Sequence, residues 1–148
     1  IRLTRDIAGM QEFNFEKPVA LHAQFVPSLF GQEKMSSSGE GVIFLSDTPK
    51  EVERKIKAHA FSGGQATIAE HRKKGGNTNI DVSYQYLRMF FEPDDQKLQQ
   101  IHDDYTSGKM LTGELKAILI EKINAFLKGH QERKEKAKDM LDKFILRD

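Results

Sequence analysis

The spacing of apolar residues changes character along the chain. Leu3, Ile7 and Met10 recur at helical intervals and predict a short helix near the start. Pro18 then opens Val19-Ala20-Leu21-His22-Ala23-Gln24-Phe25-Val26, where Val19, Leu21, Ala23 and Phe25 alternate with the period of a β-strand until Pro27 stops it. The next stretch, Glu33-Lys34-Met35-Ser36-Ser37-Ser38-Gly39-Glu40-Gly41, has nothing apolar to bury except one methionine. Beyond it every period is helical. Asp47-Thr48-Pro49 offers an N-cap and a first-turn proline to a helix that carries Val52, Ile56 and Ala60 and stops at Gly63-Gly64. A second helix is expected from Thr67 to Lys74, and a third from Asp81 to Phe91 that buries Val82, Tyr86, Met89 and Phe90. A fourth starts at Asp94, carries Leu98, Ile101 and Tyr105, and ends at Gly108. The last opens with Thr112 as cap, and Leu115, Ile118, Leu119, Ile123, Phe126 and Leu127 form its stripe. Gly129 marks an expected break, Gln131-Glu132-Arg133-Lys134-Glu135-Lys136 a solvated face, and Ala137, Met140, Leu141, Phe144 and Ile145 a return to helical spacing. The reading is a mainly α chain with an α/β beginning.

Composition narrows the class without naming a function. The 148 residues are 38% hydrophobic and 30% charged, ordinary for a globular chain holding one domain or parts of two. A formal charge of +1 gives no global basic field, so any RNA contact must come from a local patch. The absence of cysteine excludes a disulfide framework and thiolate metal sites, and fits a reducing compartment, with the cytoplasm as default. No apolar run approaches the roughly 20 residues of a membrane span, so no membrane partner is expected. The start Ile1-Arg2-Leu3-Thr4-Arg5-Asp6 is neither a signal peptide nor preceded by Met, and reads as the middle of a longer protein.

Chemistry concentrates in the Lys34 segment. Runs of Ser and Gly usually form solvated connectors. Here they also free backbone N–H groups to face an anion, while hydroxyls and an ammonium add donors and charge, the makings of a phosphate-handling loop. It is not a Walker A loop, because Lys34 precedes the small residues instead of following them. His59 and His71 are not joined by carboxylates at ligand spacing, so no metal site is expected. Tyr84, Tyr86, Phe90 and Phe91 could stack on bases, but their helical spacing assigns most of them to a core.

Six blocks, in order, carry a resemblance: Lys34-Met35-Ser36-Ser37-Ser38, His59-Ala60-Phe61-Ser62-Gly63-Gly64, Glu70-His71-Arg72, Gly75-Gly76-Asn77, Asp81-Val82-Ser83-Tyr84, and Asp104 through Lys116. Together they resemble the C-terminal portion of the eukaryotic-type tryptophanyl-tRNA synthetases, over essentially the whole chain. The resemblance implies the end of a class I Rossmann-type catalytic domain at residues 1–38. A helical anticodon-binding domain would follow at 39–135, with a C-terminal helix at 136–148 that packs back on the catalytic domain. It implies that Lys34 to Ser38 is the mobile signature loop that closes over ATP with its Mg2+. Lys34 would be the catalytic ammonium, Met35 would border the adenine, and Ser36, Ser37 and Ser38 would assist the phosphates. The family usually continues with Asp-Pro, where Gly39-Glu40-Gly41 stands here, a departure toward flexibility. Base-reading positions would lie after Gly63-Gly64 and at the helix start from Thr112 to Lys116. Lys116 matches a lysine of the family motif, and Arg2 and Arg5 fall where the family has arginines near tRNA; all three are candidate tRNA contacts. After Gly63-Gly64 the family commonly has a basic residue and Asp, and Gln65-Ala66 replaces them, so anticodon readout passes to neighbours. The implied partners are tRNA(Trp), L-tryptophan and ATP, with a homodimer in the full-length protein and no activity in this portion alone. A tyrosyl-tRNA synthetase and an isolated helical RNA- or protein-binding module are the competing readings.

Overall fold

The computed structural model describes residues 2–10, 15–21, 24–31, 35 and 41–141. Among them lie six α-helices: α1 (Arg2–Ala8), α2 (Pro49–His59), α3 (Ile68–Lys74), α4 (Val82–Tyr86), α5 (Asp95–Thr106) and α6 (Thr112–Lys138). A π-helical turn, Leu87–Phe91, continues α4. Local chemistry starts most of them. Thr48 and Glu51 form a reciprocal capping box ahead of α2, with Glu51 Oε2 accepting from Thr48 N at 2.7 Å and Thr48 Oγ1 from Glu51 N at 3.3 Å. Side-chain oxygens of Thr67, Asp81 and Asp94 likewise cap α3, α4 and α5.

α6 is the spine of the fold. Leu115, Leu119, Ile123 and Leu127 lie on one face and are buried against α2, α4, the π-helical turn and α5. Val52, Ile56 and Ala60 meet them from α2, Val82 and Tyr86 from α4, and Ile101 and Tyr105 from α5. The chain preceding the helices joins this core through Leu29, which is fully buried. Its backbone is held by Leu29 N donating to Gly41 O and Phe61 N donating to Leu29 O, and Tyr86 Oη donates to Pro27 O at 2.7 Å.

Four expectations need correction. The strand at 19–26 is absent among the described residues, where Val19, Leu21 and Phe25 are 89%, 99% and 70% exposed. His22 and Ala23 lie outside them. A strand needs a neighbour to take its backbone hydrogen bonds, and the described residues contain none. The third helix does not keep its phase. A Glu92 N to Leu87 O bond of 2.8 Å closes a turn of five residues and shifts the helical phase, so Leu87 is fully buried while Phe90 is 57% exposed. Thr112 is not the cap of α6. Leu111 holds that position, its N–H donating to Glu114 Oε2 at 2.6 Å, and the Thr112 hydroxyl turns to other partners. Finally, Gly129 does not interrupt α6. A glycine in a helix interior costs about 1 kcal/mol relative to alanine. Buried Leu127 on one side and Gln131 on the other, whose Nε2 donates to Leu45 O and Asp47 O, offset it.

Of the C-terminal apolar set, Met140 and Leu141 are exposed, and Phe144 and Ile145 lie outside the described residues. No helix among the described residues is long and apolar enough to cross a membrane.

Candidate functional site

Two short segments far apart in sequence face each other across a cleft of about 460 Å³, residues 65–68 on one wall and 111–114 on the other, with His71 between them. Both walls belong to the segments that the resemblance implies for base reading, and the fold brings them together. Gly63-Gly64 makes the approach close: a Cβ on Gly63 would overlap the Asn77 carbonyl, and one on Gly64 would overlap Thr112 Oγ1. On the opposite wall Gly113 is exposed with nothing around it. The first-turn N–H groups of a helix have no intrahelical acceptor, so the start of α6 presents donors at a position that lacks a side chain.

Beneath the cleft lies a polar network that sequence reading missed. Asp81 is fully buried, and its carboxylate accepts from Ser83 N, Tyr84 N, Gly63 N and the Tyr105 hydroxyl, at 2.9, 3.2, 2.8 and 2.7 Å. Burial pushes the Tyr105 phenol up to about 12, so it remains a donor at neutral pH. Thr112 Oγ1 lies 3.2 Å from Tyr105 Oη and 3.1 Å from Ser62 Oγ. The signal available in the sequence was Asp81 itself, an N-cap directly ahead of an apolar helix start, which marks a carboxylate that must be buried and satisfied by hydrogen bonds.

His71 is the second strap. Its Nδ1 faces Gln65 N–H at 3.4 Å, which leaves the proton on Nε2, and this donates to Met110 O at 2.9 Å. The histidine therefore joins the two walls. The Gln65 side chain is engaged as well, its Nε2 donating to Gly75 O at 3.0 Å, while Ala66 is exposed in the cleft.

The other sequence-selected residues are dispersed. Lys116, on the second turn of α6, is partly buried, and its Nζ stands 3.4 Å from Lys57 O in the last turn of α2. Burial lowers its ammonium below the ordinary lysine value, and the Asp81 carboxylate opposes that shift. Arg5 Nη1 donates to Pro18 O at 2.7 Å, and Arg2 is exposed on α1. Lys34, Ser36, Ser37 and Ser38 lie outside the described residues. Met35 is described. Its N–H donates to Val26 O at 3.2 Å, and it lines an apolar cavity of about 210 Å³ together with Tyr86, Phe91 and Phe126. The signature segment is thus rooted on the helical core.

The family described as tRNA synthetases class I (W and Y) matches residues 1–128. The tryptophan–tRNA ligase of Sulfolobus acidocaldarius is 57% identical over 145 residues, covering 97% of this chain and 38% of that protein. The chain belongs to the tryptophanyl-tRNA synthetases. Human tryptophan–tRNA ligase, cytoplasmic, is 50% identical over 144 residues, 96% of this chain and 30% of its own length. The crystal structure of tryptophanyl-tRNA synthetase from Aeropyrum pernix superposes with a TM-score of 0.82 at 36% identity, covering 98% of this chain and 40% of that one. This synthetase chain therefore spans well under half the length of the curated relatives it matches.

Proposed function

We propose that this chain is the C-terminal portion of a tryptophan–tRNA ligase. In this reading the full-length enzyme activates L-tryptophan with ATP, carried as its Mg2+ complex, and transfers the aminoacyl group to tRNA(Trp). The observation that carries it is the 57% identity to a tryptophan–tRNA ligase across 97% of the chain. In the activation step the tryptophan carboxylate attacks the α-phosphorus, the bond to pyrophosphate breaks, and tryptophanyl-adenylate forms. Charge accumulates on the phosphoryl and leaving oxygens, and the Lys34 ammonium would stabilise it there. Met35 would border the adenine and Ser36, Ser37 and Ser38 the phosphates.

Residues 1–38 would close the Rossmann-type catalytic domain, 39–135 form the anticodon-binding domain, and 136–148 a terminal helix returning to the catalytic domain. The cleft between 65–68 and 111–114 would receive the anticodon, using backbone donors where the family commonly uses side chains. Lys116, Arg2 and Arg5 would meet tRNA phosphates. A homodimer and a cytoplasmic location, the one in the human relative's name, complete the reading.

The deciding experiment is ATP–pyrophosphate exchange by the full-length protein with tryptophan and, separately, tyrosine. Exchange with tryptophan alone is expected, and exchange with tyrosine would overturn the assignment. Lys116→Ala is expected to raise the KM for tRNA(Trp) several-fold through loss of one phosphate contact. An unaltered KM would remove Lys116 from the binding surface.

A further inference from the structure

The amides of Gly63, Gly64 and Gln65 all donate away from the cleft, to Asp81 Oδ2, Ser62 Oγ and His71 Nδ1 at 2.8, 3.0 and 3.4 Å. Two of these acceptors are ends of one chain of hydroxyls. Gly64 N–H donates to Ser62 Oγ, Ser62 lies 3.1 Å from Thr112 Oγ1, Thr112 lies 3.2 Å from Tyr105 Oη, and Tyr105 donates to Asp81 at 2.7 Å. The Asp81 end sets the direction of every proton in the chain. The carboxylate takes the Tyr105 proton, so Tyr105 must accept from Thr112, and Thr112 must accept from Ser62. Because Asp81 also holds Gly63, the chain leaves the Gly-Gly loop at one residue, passes through the first residue of α6, and returns to the loop at the other.

We propose that Ser62 and Tyr105 are positioning residues for tRNA recognition, which through Thr112 hold the two walls of the cleft at one spacing without touching the nucleic acid. The proposal rests on the reading of this cleft as the tRNA-facing surface. Neither residue lines the cleft, whereas Thr112 does. An apolar core would hold α5 and α6 together equally well, since dispersion contacts are not directional. A chain of hydroxyls with one permitted direction is satisfied in one geometry only, which is what a surface that reads base edges requires. The loop and α6 are otherwise joined here by the His71 strap, which ties Gln65 to Met110 just outside the helix.

The test uses the full-length enzyme and two readouts, the KM for tRNA(Trp) in aminoacylation and the rate of ATP–pyrophosphate exchange. Ser62→Ala and Tyr105→Phe are each expected to raise the KM about tenfold, the order expected for one lost buried hydrogen bond, with exchange unchanged. Ser62→Thr, which keeps the hydroxyl, should return the KM toward the parent value. Ser62→Ala removes one hydroxyl from a partly buried position, so it remains informative if Tyr105→Phe does not fold. Gly113→Glu places a carboxylate in the cleft at a position with free space and should raise the KM by repelling the tRNA backbone. If Gly113→Glu raises the KM and neither Ser62→Ala nor Tyr105→Phe does, positioning by the hydroxyl chain is overturned and the cleft assignment stands. If Gly113→Glu is also without effect, the cleft assignment falls and the proposal with it. A parallel loss of exchange and aminoacylation in Ser62→Ala would mean general destabilisation and would likewise overturn positioning.

Discussion

Asp81→Ala is expected to destabilise the protein by about 3–5 kcal/mol, the largest effect of any single side-chain truncation considered. Three losses combine. The N-cap of α4 disappears with the acceptor for Ser83 N and Tyr84 N, typically about 1 kcal/mol. Gly63 N–H and the Tyr105 hydroxyl then lose their partner in a buried place, each at about 1–3 kcal/mol of desolvation left uncompensated. The sum falls short of full additivity because the hydroxyl chain relaxes as one unit. Asp81→Asn should cost less, since one oxygen still caps α4, while its amide nitrogen would face the Gly63 donor. Urea unfolding followed by circular dichroism would report the change as a lower midpoint at similar slope. A midpoint equal to the parent's would mean that Asp81 does not organise this core.

Lys34→Ala in the full-length enzyme is expected to remove about 2–4 kcal/mol of transition-state stabilisation from adenylate formation, with a weaker effect on tryptophan binding. The expectation rests on the match to the family's signature loop and on the chemistry of the step, because the ammonium meets charge that exists mainly in the transition state. Structure bears on the loop through the next residue. Met35 is hydrogen-bonded to Val26 and seated against Tyr86, Phe91 and Phe126, so the position of this root depends on the packing of α4 and α6. Pre-steady-state pyrophosphate exchange separates chemistry from binding. An unchanged exchange rate would take Lys34 out of the reaction.

Much of the helical architecture is legible in the sequence because its signals are local. Thr48 with Glu51, Asp94, and the glycine at 108 act within a few residues of themselves, and α2 and α5 begin and end close to where these residues place them. The stripe Leu115, Leu119, Ile123, Leu127 is readable for the same reason, since it needs only the helical period. Where local signals mislead, a distant partner decides. Thr112 has the chemistry of a cap, but its hydroxyl is taken by Ser62 and Tyr105, and Glu114 satisfies the Leu111 amide instead. Gly129 has the chemistry of a stop, but packing and Gln131 carry the helix through it. The alternation at 19–26 has the period of a strand and lacks a neighbour among the described residues.

The candidate site divides along the same line. The sequence by itself determined the family blocks, the Lys34 segment and the two stretches expected to face tRNA, because residue type and order are what those readings use. Only the tertiary structure decided that the stretches after Gly63-Gly64 and at the start of α6 form one cleft, and that a buried carboxylate and three hydroxyls lie beneath it. Ser62, Asp81, Tyr105 and Thr112 come from separate elements, and their pairings span 50, 24 and 7 positions of chain. A hydrogen bond of that kind depends on where the backbone has been carried by the packing of α4, α5 and α6. No periodicity, cap or turn signal within a few residues can specify it.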